Sequence, residues 1–72
     1  MIIGSGSNAI SAGDTVVAIT ALATGQISTD PATGKSNYLL TNVEIPAGTT
    51  IFGRWTGSIT GAASNQAIAY LG

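Results

Sequence analysis

The chain has 72 residues, of which 2 are Lys or Arg and 3 are Asp or Glu, so its net charge is −1. Charged residues make up 7% of the sequence, against roughly 25% in an ordinary soluble domain. It contains no Cys and no His, which excludes disulfides, a zinc site built on Cys and His, and catalysis by a thiol or an imidazole.

Turn-forming residues divide the chain into short segments in which β-favouring residues dominate. Residues 1–8, rich in Gly and Ser, are predicted to be a flexible N-terminal segment, and residues 9–72 a β-rich body. The β-branched and aromatic content predicts strands over 15–24, 38–45, 49–55, 58–60 and 66–71. Residues 29–37 are predicted to be a loop. The pattern indicates one all-β domain, a small antiparallel β-sandwich or barrel of about five to six short strands.

One seven-residue pattern occurs twice along the chain. Residues 10–16 read Ile-Ser-Ala-Gly-Asp-Thr-Val and residues 45–51 read Ile-Pro-Ala-Gly-Thr-Thr-Ile, 35 positions later. Two interpretations stay open: two pseudo-repeated halves of one β-unit, or a chance recurrence in a simple composition. Either way, each copy predicts an apolar residue, a small turn and a strand that begins with Thr.

Alternation within the later strands predicts which side chains share a face. In 38–45 the pattern places Leu39, Thr41, Val43 and Ile45 on one side. In the next strand Phe52 and Arg54 face one way, and Ile51, Gly53 and Trp55 the other. The dipeptide Gly57-Ser58 is predicted to be a turn between strands.

Aromatic residues and Arg are the candidates for an interface, because these types dominate binding hot spots. The alternative is a core Trp55 with Arg54 laid over the surface, and the sequence does not decide between them. The predicted interface residues are Phe52, Arg54, Trp55, Tyr38 and Tyr70.

No arrangement of residues predicts an active site, a cofactor site or a metal site. The acidic residues Asp14, Asp30 and Glu44 lie too far apart in sequence for a calcium loop. The segment Gly4-Ser5-Gly6 lacks the Lys of a phosphate-binding loop. Two basic residues cannot supply the phosphate contacts of a nucleic-acid interface, and the longest apolar run, 16–23, is too short for a transmembrane helix. We therefore expect neither an enzyme nor a protein that binds cofactors, nucleic acid or membranes.

The C-terminal half resembles a known family. The run Ile45-Pro-Ala-Gly-Thr-Thr-Ile-Phe-Gly-Arg-Trp-Thr-Gly-Ser-Ile-Thr60, followed by a closing Ala67-Ile-Ala-Tyr-Leu-Gly72, is similar to a run near the C-terminus of small structural proteins of tailed bacteriophages. The resemblance is centred on Gly53-Arg54-Trp55. It implies a β-rich virion component of the head or tail, and it carries over no binding residue.

Size and composition favour self-association. A chain of this length buries little core, and without Cys or metal ligands oligomerisation is the remaining means of stabilisation. We expect a capsid decoration or cement protein that binds the major capsid protein, or another virion protein, as a homo-oligomer, with a trimer favoured. We expect a complete, unprocessed product, made in the host cytoplasm and located in the virion.

Two alternatives remain open at this point. The first is a tail or fibre module that binds host surface polysaccharide through Trp55, Tyr38 or Tyr70, because aromatic rings stack on sugars. The second is a self-assembling filament subunit, because uncharged strands with exposed edges pair readily.

Overall fold

The fold is known from a computed structural model that describes residues 1–31 and 38–72. It consists of β1 (Ile2–Ile3), β2 (Gly6–Ala9), β3 (Val16–Ala21), β4 (Gly25–Pro31), β5 (Leu40–Ile45), β6 (Thr50–Gly61) and β7 (Ala67–Leu71). The strands form one antiparallel sheet in the order β1-β7-β3-β6-β4-β5, and β2 also pairs with β6. The sheet curls into a half-barrel. The predicted all-β antiparallel class is confirmed, in the form of a single curled sheet.

The concave side of the sheet holds the hydrophobic core. Alternate residues of each strand point inward, and most of them are β-branched, which suits a pleated and half-buried surface. Burying each large aliphatic side chain contributes roughly 1.5 to 3 kcal/mol. The buried cluster comprises Ile3, Ile10, Val16, Ile19, Ala21, Ile27, Ile45, Trp55, Ile59, Ala67 and Ala69.

The longest strand, β6, organises the sheet. Along one flank it pairs first with β3 and then with β2, and along the other flank it pairs with β4. The N–H of Ile10 donates to the carbonyl of Gly57 at 3.0 Å, in the stretch between the β2 and β3 pairings. The predicted turn at Gly57-Ser58 is therefore wrong: these residues stay extended because neighbouring chain segments hold them there.

The N-terminal residues differ from the flexible segment predicted over 1–8. β1 pairs with β7, and β2 pairs with β6. The Asn8 side chain supports this path: its Oδ1 accepts from the N–H of Gly4, and its Nδ2 donates to the carbonyls of Gly4, Gly6 and Ile59, each at 3.0 Å. One side chain thus satisfies backbone groups that a Gly-rich segment would otherwise leave to water.

Part of the predicted loop over residues 29–37 is a strand. Thr29, in β4, is 4% exposed. Its hydroxyl donates to the carbonyl of Tyr38 at 3.2 Å and accepts from the N–H of Leu40 at 3.1 Å. These bonds draw the start of β5 against β4. The rest of the predicted loop, residues 32–37, lies outside the described residues.

A bulge in β5 overturns the predicted alternation of 38–45. Ile27 pairs with Val43, but Thr29 pairs with Leu40, so β5 carries one extra residue between the two pairs. Asn42 lies at the bulge with a φ of 50°, a conformation that Asn tolerates better than most residues. The extra residue brings Leu40, instead of Leu39, to the inner side together with Val43.

The two copies of the repeated sequence have the same local structure. Gly13 and Gly48 have φ values of 89° and 88°. In each turn the N–H of the fourth residue donates to the carbonyl of the first, at 3.0 Å in 11–14 and 3.1 Å in 46–49. Both are therefore β-turns that need φ above zero at the third residue, as a type II turn does. The predicted order of apolar residue, turn and strand is confirmed in both copies. The strand begins with Thr50 in the second copy, as predicted, but with Val16 in the first.

A buried polar residue joins the N-terminus to the turn between β3 and β4. Gln66 is 1% exposed. Its N–H donates to the carbonyl of Ile3, its carbonyl accepts from the N–H groups of Leu22 and Ala23, and its Nε2 donates to the carbonyl of Ala23 at 2.7 Å. Burial of an amide is tolerated here because its hydrogen bonds to water are replaced.

Replacing either turn glycine by Ala tests the turn assignment. No atom lies within 4 Å of a Cβ added at Gly13 or Gly48, so the cost is conformational. We expect Gly13→Ala and Gly48→Ala each to lower the free energy of unfolding by about 1 to 2 kcal/mol, measured by urea titration. Gly4→Ala is the matched control, because its Cβ would meet only Asn8 Oδ1 at 3.8 Å. Equal stability of all three variants would contradict the turn assignment.

Candidate interaction surface

The strand β6 separates its aromatic residues between the two faces of the sheet. Trp55 is 1% exposed and points inward, whereas Phe52 is 75% exposed and points outward. Arg54 is also exposed. The predicted division of Phe52 and Arg54 from Gly53 and Trp55 is confirmed.

Trp55 is held in the core by Tyr38. The indole Nε1 donates to the carbonyl of Tyr38 at 2.8 Å, and the two rings meet edge to face with centroids 6.3 Å apart. The same carbonyl accepts the Thr29 hydroxyl. The indole N–H of Trp55 and the backbone carbonyl of Tyr38 are thus hydrogen-bonded inside the molecule.

Gly53 makes room for this aromatic pair. A Cβ at this position would lie 2.7 Å from Cη2 and Cζ2 of Trp55, and 3.1 Å from Cδ1 of Tyr38. The Trp55 ring therefore lies over the backbone of its own strand. The glycine in the Phe-Gly-Arg-Trp tetrapeptide is required for packing.

The predicted interface residues consequently fall into two groups. Trp55 is buried, and Tyr38 is half-buried and packs against the core, so neither is a surface anchor. Phe52, Arg54 and Tyr70 are exposed. The core interpretation of Trp55, left open by the sequence, is the one that the structure supports.

Cross-strand pairing brings two of the exposed residues onto one outer surface. Ala18 pairs with Phe52 on one side and with Tyr70 on the other, and residues directly opposite each other share a face. Phe52 and Tyr70 thus lie two strands apart, about 10 Å. Ala18 is 7% exposed because its small side chain lies between two large ones.

A second row runs beside the first. Thr20 pairs with Thr50 and Ile68, and Ile68 pairs with Ile2, which is 53% exposed. The hydroxyl oxygens of Thr20 and Thr50 are 2.7 Å apart, so the two hydroxyls bond to each other. We call these two rows together the outer apolar rows: Phe52, Ala18, Tyr70, Thr50, Thr20, Ile68 and Ile2.

Another part of the outer face is polar. Ser7 pairs with Thr60, and Thr60 with Ser28, which gives a row of hydroxyl groups across β2, β6 and β4. Nearby, the Ser58 hydroxyl donates to the Asp30 carboxylate at 3.1 Å. The outer face is therefore divided into an apolar and a polar part, with Arg54 on the same side of β6 as Phe52.

Sequence reasoning missed part of this surface. The pairing of Ile68 with Ile2 depends on β1, which lies in the segment predicted to be flexible. Strand alternation in 66–71 does place Ile68 and Tyr70 on one face, and that signal was available. The position of Ala18 between Phe52 and Tyr70 depends on strand order, which a sequence does not state.

Residues 1–31 and 38–72 contain no pocket and no group of three or more potential metal ligands. The described part of the chain also has no helix able to span a membrane. Compared with protein families, with curated proteins and with solved structures, the chain gives no match.

The role of Gly53 is tested by Gly53→Ala. Because the added methyl group meets two ring atoms at 2.7 Å, we expect a loss of about 1 to 3 kcal/mol of unfolding free energy and a shift of the Trp55 fluorescence. Arg54→Ala, one residue further and exposed, should stay within about 0.5 kcal/mol of the parent protein in the same urea titration. Similar values for both variants would contradict the packing described.

Proposed function

We propose that this chain is a structural protein of a bacteriophage virion. Its task is that of a capsid decoration or cement protein, which binds the coat shell as a homo-oligomer and stabilises it. The observation that carries the proposal is the pair of outer apolar rows, where Phe52, Tyr70 and Ile2 are exposed on one face of the sheet.

Physical chemistry supports this surface as the contact. Phe52 leaves three quarters of its area in water, and covering a side chain of this size contributes roughly 1.5 to 3 kcal/mol. With a net charge of −1, repulsion between copies is weak.

Polysaccharide binding by a tail or fibre module has less support. Stacking on a sugar needs an accessible ring face, and Trp55 is 1% exposed. Its Nε1 already donates to the carbonyl of Tyr38. Of the aromatic residues first considered for this function, Tyr70 alone is exposed.

Filament formation through sheet edges also has less support. Among the described strands, the outermost are β1, which has two residues, and β5, which carries the bulge at Asn42. The four-residue β2 pairs with β6 alone, so it also has an open edge, and it is short as well. Short edge strands and bulges are features by which β-proteins avoid edge-to-edge association. Contact through the outer face is therefore favoured over contact through the edges.

Self-association is tested by light scattering coupled to gel filtration. We expect an oligomer at micromolar concentration, and we expect Phe52→Ser and Tyr70→Ser to shift it to monomer while circular dichroism stays unchanged. Leu22→Ser is the control, because Leu22 is 45% exposed but lies in the turn after β3, outside the outer apolar rows. A folded monomer in the parent protein would contradict the oligomer.

Shell binding is tested separately, with coat shells of the virus that encodes the chain. The parent protein should sediment with the shells and raise the temperature at which they release DNA. Phe52→Ser should reduce both effects, and Leu22→Ser should reduce neither. Failure of the parent protein to sediment with the shells would contradict the decoration role.

A further inference from the structure

The two halves of the chain contribute alternate strands to the sheet. We define the N-half as residues 1–31, with β1 to β4, and the C-half as residues 38–72, with β5 to β7. The order β1-β7-β3-β6-β4-β5 then reads N, C, N, C, N, C, and β2 of the N-half also lies on β6 of the C-half. Every strand pair therefore joins one half to the other.

The order of the strands also repeats between the halves. The two copies of the repeated turn lie just before β3 and β6, which are central neighbours in the sheet. The last strand of each half, β4 or β7, pairs with the central strand of the other half. Counted inward from one edge of the sheet, the strands are β1, β7 and β3, and counted inward from the other edge they are β5, β4 and β6. Each strand of the first series corresponds to a strand of the second, which supports the division into two related halves.

Neither half has a sheet of its own. Within the described residues, no strand pairs with a strand of its own half, so separation would leave strand edges of both halves without partners. The core is shared in the same way: Ile19 of the N-half pairs with Ile51 on one side and Ala69 on the other. Each half is therefore the natural binding partner of the other.

We propose that a second copy of this chain can supply the missing half. In such a half-exchanged dimer, the N-half of each copy pairs with the C-half of the other, with the registers described above. Each half offers its strand edges and its inward side chains as the binding surface. In the closed monomer, the other half of the same chain covers this surface. The proposed partner is therefore a second copy of the same chain.

Concentration decides between the closed monomer and the exchanged dimer. A short connection gives two linked halves an effective concentration in the millimolar range. In dilute solution the two halves of one chain therefore pair with each other. Exchange becomes favourable when many chains fold close together. The exchanged dimer would carry two sets of outer apolar rows, and each chain would contribute residues to both sets. The dimer would therefore present two binding surfaces at once.

Engineered cysteines distinguish exchange from contact through the surface. Thr20 and Thr50 belong to different halves, their hydroxyl oxygens are 2.7 Å apart, and the chain has no native Cys. In the double variant Thr20→Cys with Thr50→Cys, a disulfide joins the two halves of one sheet. It lies within one chain in a monomer or a surface-bound oligomer, and between two chains in an exchanged dimer.

The double variant is unfolded in urea with reductant, refolded, oxidised and examined by denaturing electrophoresis without reductant. We expect the covalent dimer fraction to rise about tenfold or more when the refolding concentration goes from ~5 µM to ~500 µM, towards the millimolar effective concentration. The single variant Thr20→Cys sets the background of random disulfides. Ser28→Cys with Thr60→Cys, across β4 and β6, is a second pair if the first impairs folding.

If electrophoresis shows only monomer at both refolding concentrations, for whichever pair of Cys substitutions permits folding, the proposal is overturned. The test is independent of the virion function. Adding Phe52→Ser to the double variant removes the contact between outer faces but leaves the strand pairs between halves in place. A covalent dimer that persists with Phe52→Ser supports exchange, and one that disappears with Phe52→Ser would contradict exchange.

Discussion

The structure depends on the pairing of β6 with strands from the other half of the chain. This strand borders β3 and β2 on one flank and β4 on the other, so one continuous segment fixes the position of most of the N-half. Apart from β4 and β5, which are consecutive in sequence, the strands that pair in the described part of the sheet are distant in sequence. Stability and folding are therefore properties of the whole chain, and contacts of this kind form slowly.

The core has very little space around Trp55, its largest side chain. Trp55 fits because Gly53 offers no side chain and because Tyr38 accepts the indole hydrogen. Gly25 has a similar role, since a Cβ there would lie 2.7 Å from Nε2 of the buried Gln66. Two further large side chains, Phe52 and Tyr70, lie outside this core and are 75% and 46% exposed. The scarcity of charge then leaves an outer surface suited to contact with other protein surfaces.

Turn chemistry and strand alternation were the parts of the fold that the sequence predicts well. The two Ala-Gly turns follow from the φ values that only glycine adopts readily, and the opposite orientation of Phe52 and Trp55 follows from the pleat. The sequence does not show which strands pair with each other. Gly57 and Thr29 have turn-forming character but become strand because neighbouring strands supply hydrogen bonds, and Asn42 shifts the alternation of β5 by a bulge that has no periodic signal. For the candidate surface, Tyr70 and Phe52 were found from residue type, whereas Ala18 and Ile2 required the strand order.

Native-state hydrogen exchange on the isolated protein tests most directly whether the two halves form one interdependent sheet. If every strand pair joins the halves, the slowest amides of β3 and β4 must open together with those of β6 and β7. We expect the same opening free energy in both halves, within about 0.5 kcal/mol, and the same dependence on urea. Exchange of one half through a separate opening, about 2 kcal/mol or more below the other, would contradict the account.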